Sequence, residues 1–165
     1  MTVDEDRSAL SSTARGTVHS INVSDGGVPK LPRQRVMIRA RGLEGDRQRN
    51  LQVHGGPDRA VCLYSLDLID ALRAEGHPIA TGTIGENLTI AGLPWTAMTP
   101  GVRVEVGEAS LELTTYADPC RNIAGSFLQG QMLRVSARRH PGWSRLYARV
   151  LKEGTVKVGD AVAVR

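Results

Sequence analysis

A chain of 165 residues, 41% hydrophobic and 23% charged, can bury the core of one domain and is not disordered by composition. The net charge of +4 and a pI of about 9.5 favour anionic small molecules, yet no Lys/Arg run marks a nucleic-acid arm and no apolar run approaches a membrane span. Two cysteines make no disulfide framework and the N-terminus carries no apolar signal segment, so a cytoplasmic protein with reduced thiols is expected.

Aromatic residues are only 4%, so the core must come from Val, Leu, Ile and Ala, and eighteen Gly with eight Pro suit short strands joined by turns. Residues 1–15 are polar and acidic at the start, and read as a mobile tail ahead of one domain over residues 16–165. Alternation and β-branched residues over 16–23 predict a first strand, followed by a turn at Ser24-Asp25-Gly26-Gly27. Residues 30–35 read as a basic loop, 36–38 as a short strand, and 42–45 as a turn. The apolar run 60–64 predicts a buried strand. Ser65 then caps a helix over 66–75, with Leu66, Ile69 and Leu72 on one face and Gly76 at its stop.

Strands dominate the second half. Residues 83–90 read as one strand, although Gly85 and Glu86 fit a strand poorly and suggest a bulge or a close approach to a ligand. Val102, Val104 and Val106 alternate with polar residues and turn at Gly107-Glu108 into 111–115, a hairpin signal. Residues 123–128 give one or two helical turns, 146–151 alternate, and turns at Glu153-Gly154 and Gly159-Asp160 separate two last short strands. The fold expected is mixed β with few helices, its sheet closed or nearly closed into a barrel.

Four stretches carry chemistry. Cys120 falls where Pro119 ends a strand, and the adjacent Arg121 favours its thiolate, a nucleophile or a soft metal ligand. Cys62, among Ala60, Val61, Leu63 and Tyr64, reads as an inert core residue. His54-Gly55-Gly56-Pro57-Asp58-Arg59 offers converging N–H groups and a guanidinium to an anion, though on spacing alone a tight turn accounts for it better; no second histidine has zinc spacing. Lys30, Arg33, Arg35, Arg39, Arg41 and Arg47 form a diffuse basic sector, and a buried Glu86 would need partners. There is no P-loop, dinucleotide fingerprint or HExxH.

Taken in order, Lys30, Gly42-Leu43-Glu44-Gly45-Asp46-Arg47, His54-Gly55-Gly56-Pro57-Asp58-Arg59, Gly85-Glu86-Asn87-Leu88, Asp118-Pro119-Cys120, Gly142-Trp143 and Arg149-Val150-Leu151-Lys152-Glu153-Gly154 resemble the MOSC domain, named for the C-terminal part of the molybdenum cofactor sulfurase. The resemblance covers roughly Thr17 to Val164 and is nearest to the stand-alone bacterial type. It implies a β-barrel-like fold and a pterin-bound molybdenum cofactor (molybdopterin). Cys120 would be the metal ligand and catalytic residue. Cofactor contacts would come from Lys30, Asp46, Arg47, His54, Gly55, Gly56, Arg59, Glu86, Asn87 and Arg121. It also implies reduction of small N-hydroxylated compounds, such as N-hydroxylated purine bases, with electrons from a separate reductase. The alternative is a cofactor or sulfur carrier holding a persulfide on Cys120 without turnover. Neither an N-terminal barrel extension nor a C-terminal ferredoxin-type cysteine cluster is expected. Pyridoxal phosphate, which belongs to the sulfurase's aminotransferase-like part, is not expected either. Nucleic-acid and membrane partners are not expected, and the oligomeric state is left open.

Overall fold

The computed structural model describes residues 14–47 and 56–165. Alternating apolar residues commit the chain to strands, and the strands close on themselves. The long first strand β1 (Arg15–Val23) pairs antiparallel with β11 (Ala161–Val164) through its first half and with β6 (Leu88–Ala91) through its second. From β11 the ring continues through β7 (Arg103–Val106), β8 (Ala109–Ala117), β9 (Arg145–Lys152) and β5 (Val61–Ser65) back to β6. These seven strands form a closed barrel, with β5–β6 as its parallel pair. Closure removes sheet edges and encloses one core, in which Ile21, Leu63, Leu88, Ile90, Val104, Leu111 and Val162 are all buried.

Three departures from the sequence reading matter. The basic loop expected at 30–35 contains a strand, β2 (Leu31–Arg33), which pairs with the end of β1. Pro32 is tolerated there because β2 is the outermost strand and needs to donate along one side only. The turn expected at 42–45 begins as a two-residue strand β4 (Gly42–Leu43), which joins β3 (Arg35–Arg39) and β10 (Gly154–Lys157) in a small second sheet. The strand expected over 83–90 starts only at Leu88. Gly85 has φ +82°, a left-handed conformation that breaks an extended run, and the side chains of Glu86 and Asn87 turn inward.

The helix α1 (Leu66–Ala74) follows β5 directly. Ser65 accepts a hydrogen bond from the Leu68 N–H at 3.2 Å, as its cap position requires, and Ile69 and Leu72 are buried. Between β8 and β9 the chain runs through three short 3-10 turns over Arg121–Ser126, Leu128–Gly130 and Met132–Val135. That stretch is tied to the end of α1. The Leu128 N–H donates to His77 Nδ1 at 3.0 Å, and Arg134 donates two hydrogen bonds to Glu75 at 2.9 and 2.8 Å. The Arg134 guanidinium also stacks 3.9 Å over the Trp143 ring. No helix among the described residues is long and apolar enough to cross a membrane.

Gly82 links fold to site. Its carbonyl accepts from Lys30 N at 2.9 Å, its N–H donates to Glu86 Oε1 at 3.0 Å, and its φ is +80°. A Cβ at this position would run into the Lys30 carbonyl oxygen. Gly82→Ala should therefore destabilise the fold by about 2 kcal/mol or more, read as a lower urea midpoint at unchanged m-value.

Candidate functional site

One cleft, with about 560 Å³ of open space, is lined by residues from five separate stretches of chain. Gly27, Val28 and Lys30 come from the segment before β2, Cys62 from β5, and Ile84, Gly85 and Asn87 from the approach to β6. Cys120, Asn122 and Ile123 follow β8, and Arg145 and Tyr147 open β9. Register explains the convergence. Cys62 on β5 lies opposite Tyr147, Ala117 at the end of β8 lies opposite Arg145, and Leu88 pairs with Leu63.

Asn87 is the joint between these strands. Its backbone N–H donates to the Cys62 carbonyl at 2.8 Å, and its Oδ1 accepts from the Cys62 N–H at 3.0 Å. Its amide nitrogen donates to the Asn22 carbonyl at 3.2 Å and to Asp46 Oδ2 at 3.0 Å. Asp46 Oδ1 in turn accepts from Lys30 Nζ at 2.7 Å and from the Ser24 N–H at 2.9 Å. Lys30 and Asp46 are 8% and 4% exposed, so this is a buried ion pair whose hydrogen-bonding capacity is well filled. Lys30 is thus held at the cleft wall with its charge already answered.

Arg145 is in the opposite situation. It is buried, and its guanidinium donates only to carbonyls: Ile84 at 2.8 Å, Ala117 at 3.4 Å and Asp118 at 3.1 Å. Its Nε–H is buried without a partner, and among the described residues no carboxylate lies within ion-pair distance. The turn that delivers it is fixed from inside the core. Tyr64 Oη donates to the Trp143 carbonyl and Trp95 Nε1 to the Ser144 carbonyl, each at 2.8 Å. The two rings meet edge to face with centroids 5.9 Å apart.

The two thiols differ sharply. Cys62 is packed with Ala117 and Tyr147, and burial pushes its thiol up to about 11, so it is protonated at neutral pH. Cys120 is half-buried, at the head of the 3-10 segment and just past the end of β8. Tyr147 lines the same wall and packs with Cys62. Burial pushes its phenol up to about 12, so it too keeps its proton.

The structure brings Lys30, Asn87 and Cys120 of the expected set into the cleft and holds Asp46 directly behind them. Arg59 stands beside it, its guanidinium 5.6 Å from the Tyr147 ring centroid. Glu86 does not reach the cleft. It is fully buried behind the wall, where its carboxylate accepts from Gly82 N–H and from Thr89 Oγ1 at 2.9 Å, and so ties loops together. Arg121 is exposed and absent from the wall. Arg47 is exposed and faces Asp25 at 3.8 Å, and Gly56 is exposed with φ +92° at the start of the turn Pro57–Arg59. Together with Asp46, Arg47 and Gly56 border a neighbouring hollow. His54 and Gly55 lie outside the described residues. Sequence reasoning missed Arg145 and Tyr147 as wall residues and took Cys62 for core alone. Period-two alternation puts Arg145, Tyr147 and Arg149 on one face of β9, yet Arg149 is exposed, so no local signal separates the buried arginine from the solvated one.

Among the described residues no three His, Cys, Asp or Glu side chains converge as a metal cage. A metal in this cleft would have to arrive with ligands of its own and take one thiolate from the protein. That fits a dithiolene-bound soft metal, and the orphaned arginine fits an anionic group.

Comparison with known proteins agrees with this architecture. Residues 50–163 match the MOSC domain family. The chain is 34% identical over 136 residues to the uncharacterized protein YflK of Bacillus subtilis, covering 81% of this chain and 60% of that protein. It is 30% identical over 135 residues to a protein named reductase from Gibberella moniliformis, covering 78% of this chain and 23% of that one. The crystal structure of YiiM from Geobacillus stearothermophilus superposes with a TM-score of 0.70 at 24% identity, over 91% of this chain and 75% of that one. The chain thus spans less than two thirds of the first of these curated relatives and under a quarter of the second.

Glu86 offers a test that needs no ligand. Burial raises its pKa above the usual carboxylate value, against the opposing hydrogen bonds from Gly82 and Thr89. The favourable protonated form holds below the unfolded-state value near 4.3, and its contribution is lost as pH rises through the raised folded value. The stability of the native protein relative to Glu86→Gln should therefore fall from pH 4 toward neutral, followed by urea melts across that range.

Proposed function

The chain belongs to the MOSC domain family, and on that premise we propose that it binds a pterin-bound molybdenum through the Cys120 thiolate and reduces small N-hydroxylated compounds. The observation that carries this reading is that Cys120 shares one cleft with Lys30, Asn87 and Arg145, although they come from separate parts of the chain. Cys62, the other thiol of that cleft, stays protonated by burial and is unsuited to bind a metal. The relative named reductase supports redox chemistry, though this chain spans only 23% of it.

When bound, the cofactor would supply the two-electron reduction of an N–O bond. The chain's own residues do the rest. Cys120 provides a soft, anionic sulfur where the backbone leaves β8, and the anchored 3-10 segment holds that backbone in place. Lys30 Nζ, paired with Asp46, presents hydrogen-bond donors at the wall without adding an unpaired charge. Val28, Ile84 and Ile123 supply the apolar wall that limits water. Tyr147 keeps its phenolic proton and can donate it in a hydrogen bond to an acceptor. Electrons would come singly from a separate donor protein.

Metal analysis of protein made in a host that synthesises the cofactor tests the reading. Stoichiometric molybdenum and reduction of an N-hydroxylated base are expected from the native protein. Cys120→Ser should lose both, with stability of the metal-free form within about 1 kcal/mol of native, because sulfur and oxygen differ little in volume at a half-exposed position. Cys62→Ser should behave in the reverse way: stability lower by roughly 1–3 kcal/mol, because a hydroxyl enters an apolar cluster, with molybdenum retained per folded molecule. A metal-free native protein carrying sulfane sulfur on Cys120 would favour the carrier reading instead.

A further inference from the structure

Most buried arginines are answered by a carboxylate, because an unpaired buried charge is costly. Arg145 is only 5% exposed, holds three backbone carbonyls and has an Nε–H with no partner. Carbonyls orient a guanidinium but do not cancel its charge. Its charge favours the ionised forms of Cys62, Tyr64, Glu86 and Tyr147, against a larger effect of burial at each. Two of its carbonyl partners, Ala117 and Asp118, lie within three residues of Cys120 on the same chain segment. The other lysine or arginine in the wall, Lys30, is already paired with Asp46.

We propose that Arg145 is the seat of an oxyanion held in the cleft beside Cys120, and that this arginine, more than Lys30, balances the negative charge of whatever ligand binds there. Three of its five N–H groups go to carbonyls, which fixes the guanidinium in place and leaves two N–H groups and an uncancelled positive charge for an anion's oxygens. Both metal-borne oxygens and a phosphate ester have that chemistry. This assignment deepens the cofactor reading and rests on the same cleft, yet it needs no molybdenum, so metal-free protein tests it separately.

The probes are inorganic phosphate and inorganic molybdate, and the readout is alkylation of Cys120 followed by mass spectrometry of its peptide. That readout excludes the buried Cys62. In native metal-free protein, either oxyanion should slow alkylation saturably, and the one effective at lower concentration identifies which source the seat is matched to. Without oxyanion, iodoacetate should gain on iodoacetamide relative to a free cysteine, because the anionic reagent is drawn by the same charge. Arg145→Gln should weaken oxyanion protection about tenfold or more and return the reagent ratio toward that of a free thiol. Arg145→Lys, which keeps charge but loses the carbonyl-fixed guanidinium, should retain the reagent preference and lose part of the protection. Lys30→Gln should weaken protection less than Arg145→Gln does. The proposal is overturned if native protein shows neither protection nor reagent preference, a result that stands even if every Arg145 variant fails to fold. It is overturned equally if folded Arg145→Gln protein matches the native one, or if Lys30→Gln loses the protection that Arg145→Gln keeps.

Discussion

The cleft depends on the Asn87 side chain. Asn87 bonds to both backbone groups of Cys62 on β5, to the Asn22 carbonyl on β1, and to Asp46, which holds Lys30. All these groups are buried or nearly so, where an unmade hydrogen bond costs far more than a made one contributes. Each partner is therefore confined to one geometry. Gly82 completes the arrangement from the other side by holding Lys30 through its carbonyl and Glu86 through its N–H. The result is a rigid wall made from loops that carry few regular ladder bonds of their own.

The barrel supplies the frame against which those loops are set. Strands β5, β8 and β9 end near one another by register, which places Cys62, Ala117 and Arg145 within one neighbourhood before any loop is considered. The core then reaches up to fix the turn ahead of β9 through Tyr64 and Trp95. On the far side, Glu75, His77, Arg134 and Trp143 staple the 3-10 segment after Cys120. A half-exposed thiol thus sits between two anchored pieces of backbone, which suits a group that must hold a ligand in one orientation.

Charge is distributed unevenly around this wall. Lys30 is neutralised by Asp46, Glu86 is sequestered among hydrogen-bond donors, and Arg145 has only carbonyl dipoles for company. The protein tolerates that arginine because three carbonyls offset part of its desolvation. Membership of the MOSC domain family gives this imbalance a natural use, since an anionic ligand would complete the pairing that the chain leaves open.

Local chemistry was legible from the residues alone. The Ser65 cap and the spacing of Ile69 and Leu72 determine α1, and the alternation of Val104 and Val106 with polar neighbours determines the β7–β8 hairpin. Pro119 and the turn after β8 place Cys120 at a strand end for reasons that need no tertiary contact. What the chain order does not contain is distance across the barrel. Asp46 meets Lys30 and Asn87 because the segment after β4 pairs with the turn after β1, through the Asp25–Arg47 bridge, and β1 lies beside β6 in the closed barrel; nothing local to any of the three announces it. Arg145 and Arg149 look alike in sequence and share a face of β9, yet one is buried against the carbonyls at the end of β8 and the other is exposed. Periodicity reports which way a side chain points from its own strand. Whether solvent or another segment waits there is decided by closure of the barrel, because burial is a property of the neighbours that arrive from elsewhere in the chain.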